Sequence, residues 1–306
     1  MLVPSANTVF IVRHGERLDH VQELWQPDPA HGIWDPPLSP HGHEQARRTG
    51  RHLIDMMHER GLDPDDATIV IYTSPFQRCI DTSIGLVHGM EAAKPPILRL
   101  DLGLGEWMCE RFFDQVCPAQ QLLARQQQEL ARQQALTYAA AANPNMYISQ
   151  SLLPSMHIDY GFTATVTDFE YPEYYTDMLQ RFNRARLACL GNVAKGLPKS
   201  HSHDPSKTVI IMVTHAVGVN ALLDSFRNRV TRPVETSYCS VSCIEWHNPM
   251  HCLDGSSSDQ SDDNMMDDDD EENLYAELAP ASNNFQHKSR WKITLSASGT
   301  HLQPTT

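Results

Sequence analysis

The sequence predicts an α/β fold, a three-layer αβα sandwich around a mostly parallel β-sheet. Five short apolar runs indicate strands, and helical patterns lie between most of them. The first run lacks the alternation of a half-exposed strand, which indicates a strand buried on both faces. The five runs are residues 9–12, 69–72, 209–213, 241–246 and 291–295.

The first apolar run ends abruptly in charged residues, Arg13 and His14. In doubly wound sheets, ligands bind in the crevice beyond the carboxyl ends of the strands, so these two residues are predicted to lie at a functional site. The alternative interpretation is a charged loop that caps a core strand. The residues that follow the other predicted strands distinguish these two interpretations.

Four helices are marked by start signals or by apolar spacing. The stretch from His41 to Arg60 places apolar side chains on one helix face. Ser74 as N-cap with Pro75 at the first helical position marks a second helix. Pro172 opens a third helix, and a fourth begins near Ala216.

Two segments stand apart within what is predicted to be a single domain over residues 1–306. Residues 109–167 form a divergent helical insert or lid, in which residues 118–142 combine strong helix formers with little amphipathicity. Residues 254–286 form an acidic insertion between the last two strands. Its composition cannot bury enough apolar surface to order itself, so it is predicted to be disordered.

Charge is concentrated in that acidic segment. The chain has a formal net charge of −14, and without the eleven acids between residues 254 and 277 it would be −3. A polyanion disfavours direct binding to nucleic acid. The segment is predicted to be either a docking element for a protein partner or a solvated insertion.

Cysteine spacing and apolar run length predict the compartment. The seven cysteines are scattered without paired spacing, which favours reduced thiols over a disulfide framework. No apolar run approaches the length that crosses a bilayer. The sequence therefore predicts a cytoplasmic or nuclear protein that does not contact membranes.

Basic residues follow three of the predicted strands. Arg13, His14 and Arg17 follow the first, Arg78 lies in the first helical turn after the second, and His215 follows the third. Arginine forks match phosphate oxygens, and helix amino termini supply N–H donors. The combination predicts a site for a tetrahedral dianion.

These residues lie in motifs that resemble the histidine phosphatase superfamily, whose fold is the phosphoglycerate mutase-like fold. The resemblance implies that His14 is a nucleophile that becomes phosphohistidine, and that Arg13, Arg78 and His215 bind the phosphoryl group. The motifs are RHGE at 13–16, LSPHGHEQA at 38–46, SPFQRCIDT at 74–82, GEW at 105–107 and VTHAVG at 213–218.

Arg17 matches the second arginine of the RHGER subgroup. The sequence resembles the suppressor-of-T-cell-receptor-signalling phosphatase domains of that subgroup and fungal phosphoglycerate mutase family proteins. In another branch of the superfamily an aspartate after the second histidine donates the proton, but here that position is Ala216. The resemblance therefore implies that Glu106 is the proton donor, with Glu110 as the alternative.

The predicted activity is metal-independent hydrolysis of a phosphomonoester. Neighbouring arginines keep the histidine neutral and spread the phosphoryl charge, so no metal or other cofactor is expected. The predicted partner is a phosphorylated substrate, either a small molecule or a phosphoprotein. Two alternatives remain at this point: mutase-type phosphoryl transfer, and a largely non-catalytic protein-interaction scaffold of a transcription assembly.

Overall fold

The computed structural model describes most of the predicted α/β domain. The described residues are 4–27, 35–113, 156–159, 161–166, 170–201, 203–247 and 290–303, together with Leu122, Ala124 and Gln127.

One seven-stranded sheet forms the centre of the described fold, in the order β4-β3-β2-β5-β1-β6-β7. Strands β1 to β5 pair in parallel, whereas β6 and β7 run antiparallel at one edge. The strands are β1 Thr8–Arg13, β2 Thr68–Thr73, β3 Ile97–Leu100, β4 His157–Ile158, β5 Thr208–Thr214, β6 Val241–Trp246 and β7 Trp291–Ser298.

Helices cover both faces of the sheet. Helices α1 and α2 pack with one face of β1, where Phe10 and Val12 point, and α3 and α4 pack with the opposite face. The prediction of an αβα sandwich around a mostly parallel sheet is confirmed. The four helices are α1 Pro40–Glu59, α2 Gln77–Met90, α3 Tyr175–Asn192 and α4 Ala216–Arg227.

The predicted start of the second helix is wrong. Helix α2 begins at Gln77, and Ser74 does not cap it. Both carboxylate oxygens of Asp35 accept from the backbone N–H of Gln77, at 2.9 and 3.1 Å, so a distant residue supplies the cap. The Ser74 hydroxyl instead contacts Nε2 of His215. Helix α3 also begins later than predicted, at Tyr175 and not at Pro172.

Two sequence features lie largely or wholly outside the described residues. Within 118–142, Leu122, Ala124 and Gln127 are helical, and the acidic segment 254–286 falls wholly outside. Strands β6 and β7, between which that segment lies in sequence, are antiparallel neighbours. Among the described helices, none combines the length and apolar character that crossing a membrane requires.

The carboxyl ends of the parallel strands all lie on the same side of the sheet, at the ends of the strands. His14 follows β1, Ser74 follows β2, Asp101 follows β3 and His215 follows β5. Backbone hydrogen bonds continue past the strand ends, from His14 N–H to Thr214 at 2.9 Å and from Ser74 N–H to Val213 at 3.0 Å. The sheet thus brings segments far apart in sequence into one row.

Candidate active site

His14 is buried and held in one tautomer. Its Nδ1 lies 2.8 Å from the carbonyl oxygen of Gly15. A carbonyl only accepts hydrogen bonds, so Nδ1 carries the proton and Nε2 keeps a free lone pair in the neutral ring. Burial, followed by the charges of Arg78 and Arg13, holds the pKa of His14 well below its ordinary value. The ring is therefore a neutral base with Nε2 available.

His215 lies beside His14, with ring centroids 5.4 Å apart. Its Nε2 is 2.9 Å from the hydroxyl of Ser74, and its Nδ1 is 3.1 Å from an Nη of Arg78. Burial and the Arg78 charge hold the pKa of His215 well below its ordinary value as well. The two imidazoles thus form a neutral pair beside a guanidinium.

Arg78 lies in the first turn of α2 and is almost fully buried. Its guanidinium is 3.5 Å from Asp35 and 3.6 Å from Glu106. The hydroxyl of Thr82, one turn later, donates to the Arg78 carbonyl at 2.6 Å and accepts from the Gly15 N–H at 3.0 Å. Thr82 therefore ties α2 to the loop that carries His14.

Arg13 packs against the ring of Tyr238 at the border of the site. Its Nη1 donates to the Thr236 carbonyl at 2.6 Å, and its guanidinium carbon lies 4.2 Å from the centre of the Tyr238 ring. The Nε of Arg13 is buried and has no hydrogen-bond partner among the described residues. The Arg13 guanidinium is thus held at the border of the site by the Thr236 carbonyl and the Tyr238 ring.

Arg17 lies further out, where it donates to both carboxylate oxygens of Asp19 at 3.0 and 2.6 Å. Its charge still contributes to lowering the pKa of His14. Arg17 therefore acts electrostatically on the site from its rim, where it forms an ion pair with Asp19.

Glu106 and Glu110, the two candidate proton donors, have different surroundings. One carboxylate oxygen of Glu106 lies 3.3 Å from Nδ1 of His215 and 3.6 Å from Arg78. Its other oxygen accepts from the backbone N–H of Trp107 at 3.1 Å. Glu110, four residues later, is exposed. The structure therefore brings the Glu106 carboxylate to His215 and Arg78, whereas the Glu110 side chain is exposed.

The assembled residues suit chemistry on a phosphoryl group. Arginines and helix amino termini match phosphate oxygens, and a neutral imidazole with a free Nε2 is a nucleophile. Within the described parts of the chain, no group of three or more histidine, cysteine, aspartate or glutamate side chains is placed to hold a metal ion.

Residues 9–135 match the family model described as histidine phosphatase superfamily, branch 1. These residues belong to the histidine phosphatase superfamily. The match includes Arg13, His14, Arg78 and Glu106 and ends before His215. The structure adds His215 from β5 to the same site.

Two curated relatives are similar to part of this chain. The transcription factor tau 55 kDa subunit of Saccharomyces cerevisiae is 34% identical over 102 residues, which cover 33% of this chain and 21% of that protein. An uncharacterized phosphoglycerate mutase family protein, R708 of Acanthamoeba polyphaga mimivirus, is 40% identical over 76 residues, covering 24% and 33%. The chain therefore spans a third or less of the length of these relatives.

A solved structure shares the fold. The ecdysone phosphate phosphatase of Bombix mori, determined in complex with tungstate, aligns with a TM-score of 0.50 at 17% identity. The alignment covers 84% of this chain and 98% of that chain. At this identity the likeness concerns the fold alone, and it agrees with the αβα architecture described above.

Several residues of the site are not identified by the sequence argument. Asp35 contacts Arg78, Tyr238 covers Arg13, and Ser74 contacts His215 instead of capping a helix. Asp35 stands before two prolines, a signal of a turn that carries no information about Arg78. No sequence pattern around Tyr238 indicates a role in the site, because the position of Tyr238 depends on the path that the chain takes after α4.

Proposed function

We propose that this protein is a metal-independent phosphomonoester hydrolase that acts through a phosphohistidine intermediate on His14. The observation that carries the proposal is the hydrogen bond from Nδ1 of His14 to the Gly15 carbonyl, which leaves Nε2 free in a buried, neutral ring. Burial, and then the charges of Arg78 and Arg13, lower the pKa of that ring. Their guanidinium groups supply positive charge where a metal ion would otherwise be needed.

In the first step, the Nε2 lone pair of His14 attacks phosphorus and the bond from phosphorus to the ester oxygen breaks. The leaving oxygen takes a proton from Glu106. The positive charge gained by the imidazole is stabilised by the Gly15 carbonyl. The phosphoryl oxygens bind Arg13, Arg17, Arg78 and His215.

In the second step, water attacks phosphorus and the bond from phosphorus to Nε2 breaks. Glu106, now ionised, takes the proton of that water. Inorganic phosphate leaves, and His14 and protonated Glu106 are regenerated. One carboxyl group acts first as acid and then as base, so the cycle needs no other proton carrier.

The proposed substrate is a phosphate ester on a small molecule or on a protein, and the proposed compartment is the cytoplasm or nucleus. A neutral nucleophile beside cationic phosphate ligands supports the ester class, whatever the alcohol. We further propose that the acidic segment 254–286 contacts a protein partner and that the chain contacts neither nucleic acid nor membranes directly.

The test is hydrolysis of an aryl phosphate by the full chain in the presence of EDTA, with trapping of the phosphoenzyme by rapid denaturation. We expect turnover with EDTA present and a phosphoenzyme that is labile in acid and stable in base. An acid-stable phosphoenzyme, as phosphoserine gives, would contradict the assignment of His14. Activity lost with EDTA and restored by a metal ion would contradict metal independence.

A second candidate function is a protein-interaction scaffold. It is favoured by the similarity to a protein named as a transcription factor subunit. The same assay separates the two functions, because a folded protein without turnover from pH 5 to pH 8 would favour the scaffold.

A further inference from the structure

Glu106 is held by its backbone as well as by its side chain. The segment Gly103–Glu106 leads from β3 to the carboxylate, and three of its carbonyl groups point to one arginine, Arg181 of α3. Arg181 donates to the carbonyls of Gly103 at 2.9 Å, Gly105 at 3.0 Å and Glu106 at 3.1 Å. A side chain on the neighbouring layer therefore fixes the path of the chain that presents Glu106.

Arg181 is in turn fixed by Glu173. Its Nε donates to one carboxylate oxygen of Glu173 at 2.7 Å, and an Nη donates to the other at 2.9 Å. With the three carbonyls, these bonds account for the five N–H donors of a guanidinium. Both side chains are buried. A lysine cannot replace this arrangement, because it has three donors on a single nitrogen.

Glu173 also binds the residues just after Glu106. Its carboxylate accepts from the Met108 N–H at 3.0 Å, and its carbonyl accepts from the Trp107 indole at 2.9 Å. Its own N–H donates to the Met108 carbonyl at 2.8 Å. The chain is thus held on both sides of Glu106 by one ion pair.

We propose that Arg181, fixed by Glu173, is a positioning residue for the proton donor Glu106. The inference rests on the proposed function, since it assigns the pair a part in proton transfer to the leaving group. Neither residue touches the reacting atoms. Their effect is to keep the Glu106 carboxylate within reach of the ester oxygen, and small displacements of a catalytic group cost much rate.

The leaving group tests this role. An aryl oxide leaves readily without a proton, whereas an alkoxide needs one, so a misplaced donor lowers the alkyl rate more than the aryl rate. For Arg181→Lys we expect kcat/KM to fall roughly 10²-fold on an alkyl phosphate and only a few-fold on an aryl phosphate. A merely structural role would lower both rates equally.

Arg186 provides a matched control on the same helix. It is also a buried arginine, but it donates to the side chains of Ser225 at 2.7 Å and Asn183 at 3.2 Å. Arg186→Lys should therefore reduce stability without changing the ratio of alkyl to aryl kcat/KM. A changed ratio in this variant would show that the ratio reports general damage and would overturn the inference.

A double-mutant cycle separates the inference from the proposed function. If Arg181 acts through Glu106, Arg181→Lys should cause no further loss on the alkyl phosphate when Glu106→Gln is already present. Independent losses would overturn the inference. If Glu106→Gln alone lowers kcat/KM equally on the alkyl and the aryl phosphate, Glu106 is not the proton donor. That assignment within the proposed function would then be wrong.

Chemical rescue provides a second readout that tolerates partial destabilisation. Glu173 and Arg181 are among the residues that line a cavity of about 330 Å³, and removing the Arg181 side chain would enlarge it toward Glu173. In Arg181→Ala, guanidinium ions at millimolar, non-denaturing concentrations should restore part of the alkyl phosphatase rate, whereas sodium should not. The absence of rescue in a variant that is folded by circular dichroism would contradict the positioning role.

Discussion

The hydroxyl of Ser74 lies 2.9 Å from Nε2 of His215, and both side chains are fully buried. The contact joins the end of β2 to the end of β5. On its other side, Nδ1 of His215 lies close to Arg78 and Glu106. The serine therefore sets the orientation of an imidazole whose opposite nitrogen faces the proposed reacting groups.

Ser74→Ala should lower kcat/KM for an aryl phosphate roughly tenfold, the value of about one buried hydrogen bond. Ser83→Ala is the control, because Ser83 is equally buried and its hydroxyl donates to the Cys79 carbonyl in α2. We expect near-normal activity in that variant. Equal losses in the two variants would show that Ser74 matters only for packing.

The two histidines should differ when each is replaced. We expect His14→Ala to abolish hydrolysis and phosphoenzyme together, because His14 alone is proposed to form the bond to phosphorus. His215→Ala should leave a trace of both, since it removes a ligand of the phosphoryl group. Quantifying labelled phosphoenzyme after rapid denaturation checks this, and label persisting in His14→Ala would contradict the assignment.

Glu106 and Glu110 should differ as proton donors. For Glu106→Gln we expect a loss of roughly 10² to 10⁴ on an alkyl phosphate, the usual range for general acid catalysis, with a much smaller loss on an aryl phosphate. Glu110→Gln should show no such contrast, since Glu110 is exposed. Steady-state kinetics on both substrates decide it, and a contrast at Glu110 would exchange the two assignments.

Stability should fall on mild acidification. The pKa values of His14 and His215 are lowered in the folded state by burial and by Arg78, whereas an unfolded histidine titrates near its ordinary value of 6.5. Between these values the unfolded chain binds more protons. The free energy of unfolding therefore falls as pH falls below about 6.5, by up to about 1.4 kcal/mol per pH unit for each histidine.

Urea unfolding at pH 7.5 and pH 5.5 measures this dependence. His14→Asn should show a smaller drop in the free energy of unfolding between the two pH values than the unmodified chain. Identical drops would mean that His14 does not contribute to the pH dependence of stability.

The glycines of the RHGE and PHG motifs should be intolerant of a side chain. A Cβ at Gly42 would lie 2.3 Å from the Glu16 carbonyl oxygen, within the loop that follows His14. Gly42→Ala should cost about 1–3 kcal/mol of stability, as overpacking does, and should lower activity by displacing that loop. Thermal unfolding and aryl phosphate hydrolysis measure both effects.

Gly191 in α3 is the control for this substitution, because a Cβ there meets no atom within 4 Å. Gly191→Ala should leave activity unchanged and raise stability by up to about 1 kcal/mol through helix propensity. If Gly42→Ala were as stable and active as Gly191→Ala, the loop after His14 would accommodate a Cβ without cost, and the prediction would be wrong.

The sequence predicts the parts of the site that follow strands and occur within short motifs. Arg13, His14 and His215 are identified because each lies within two residues of the end of an apolar run, and parallel strands end on the same side of a sheet. Asp35 and Arg181 are not, because each acts through contacts made across the fold. For Ser74, the local capping preference predicts the wrong partner, since Asp35 supplies the cap and His215 takes the hydroxyl.

The pairing of β6 with β7 determines where the chain leaves and rejoins the sheet. Trp246 lies opposite Trp291, with ring centroids 5.2 Å apart, beside the amino end of β1. His14 follows the other end of that six-residue strand, about 20 Å away at roughly 3.3 Å per residue. A reporter domain spliced between these tryptophans would be tethered at the end of β1 opposite His14, away from the proposed phosphate site.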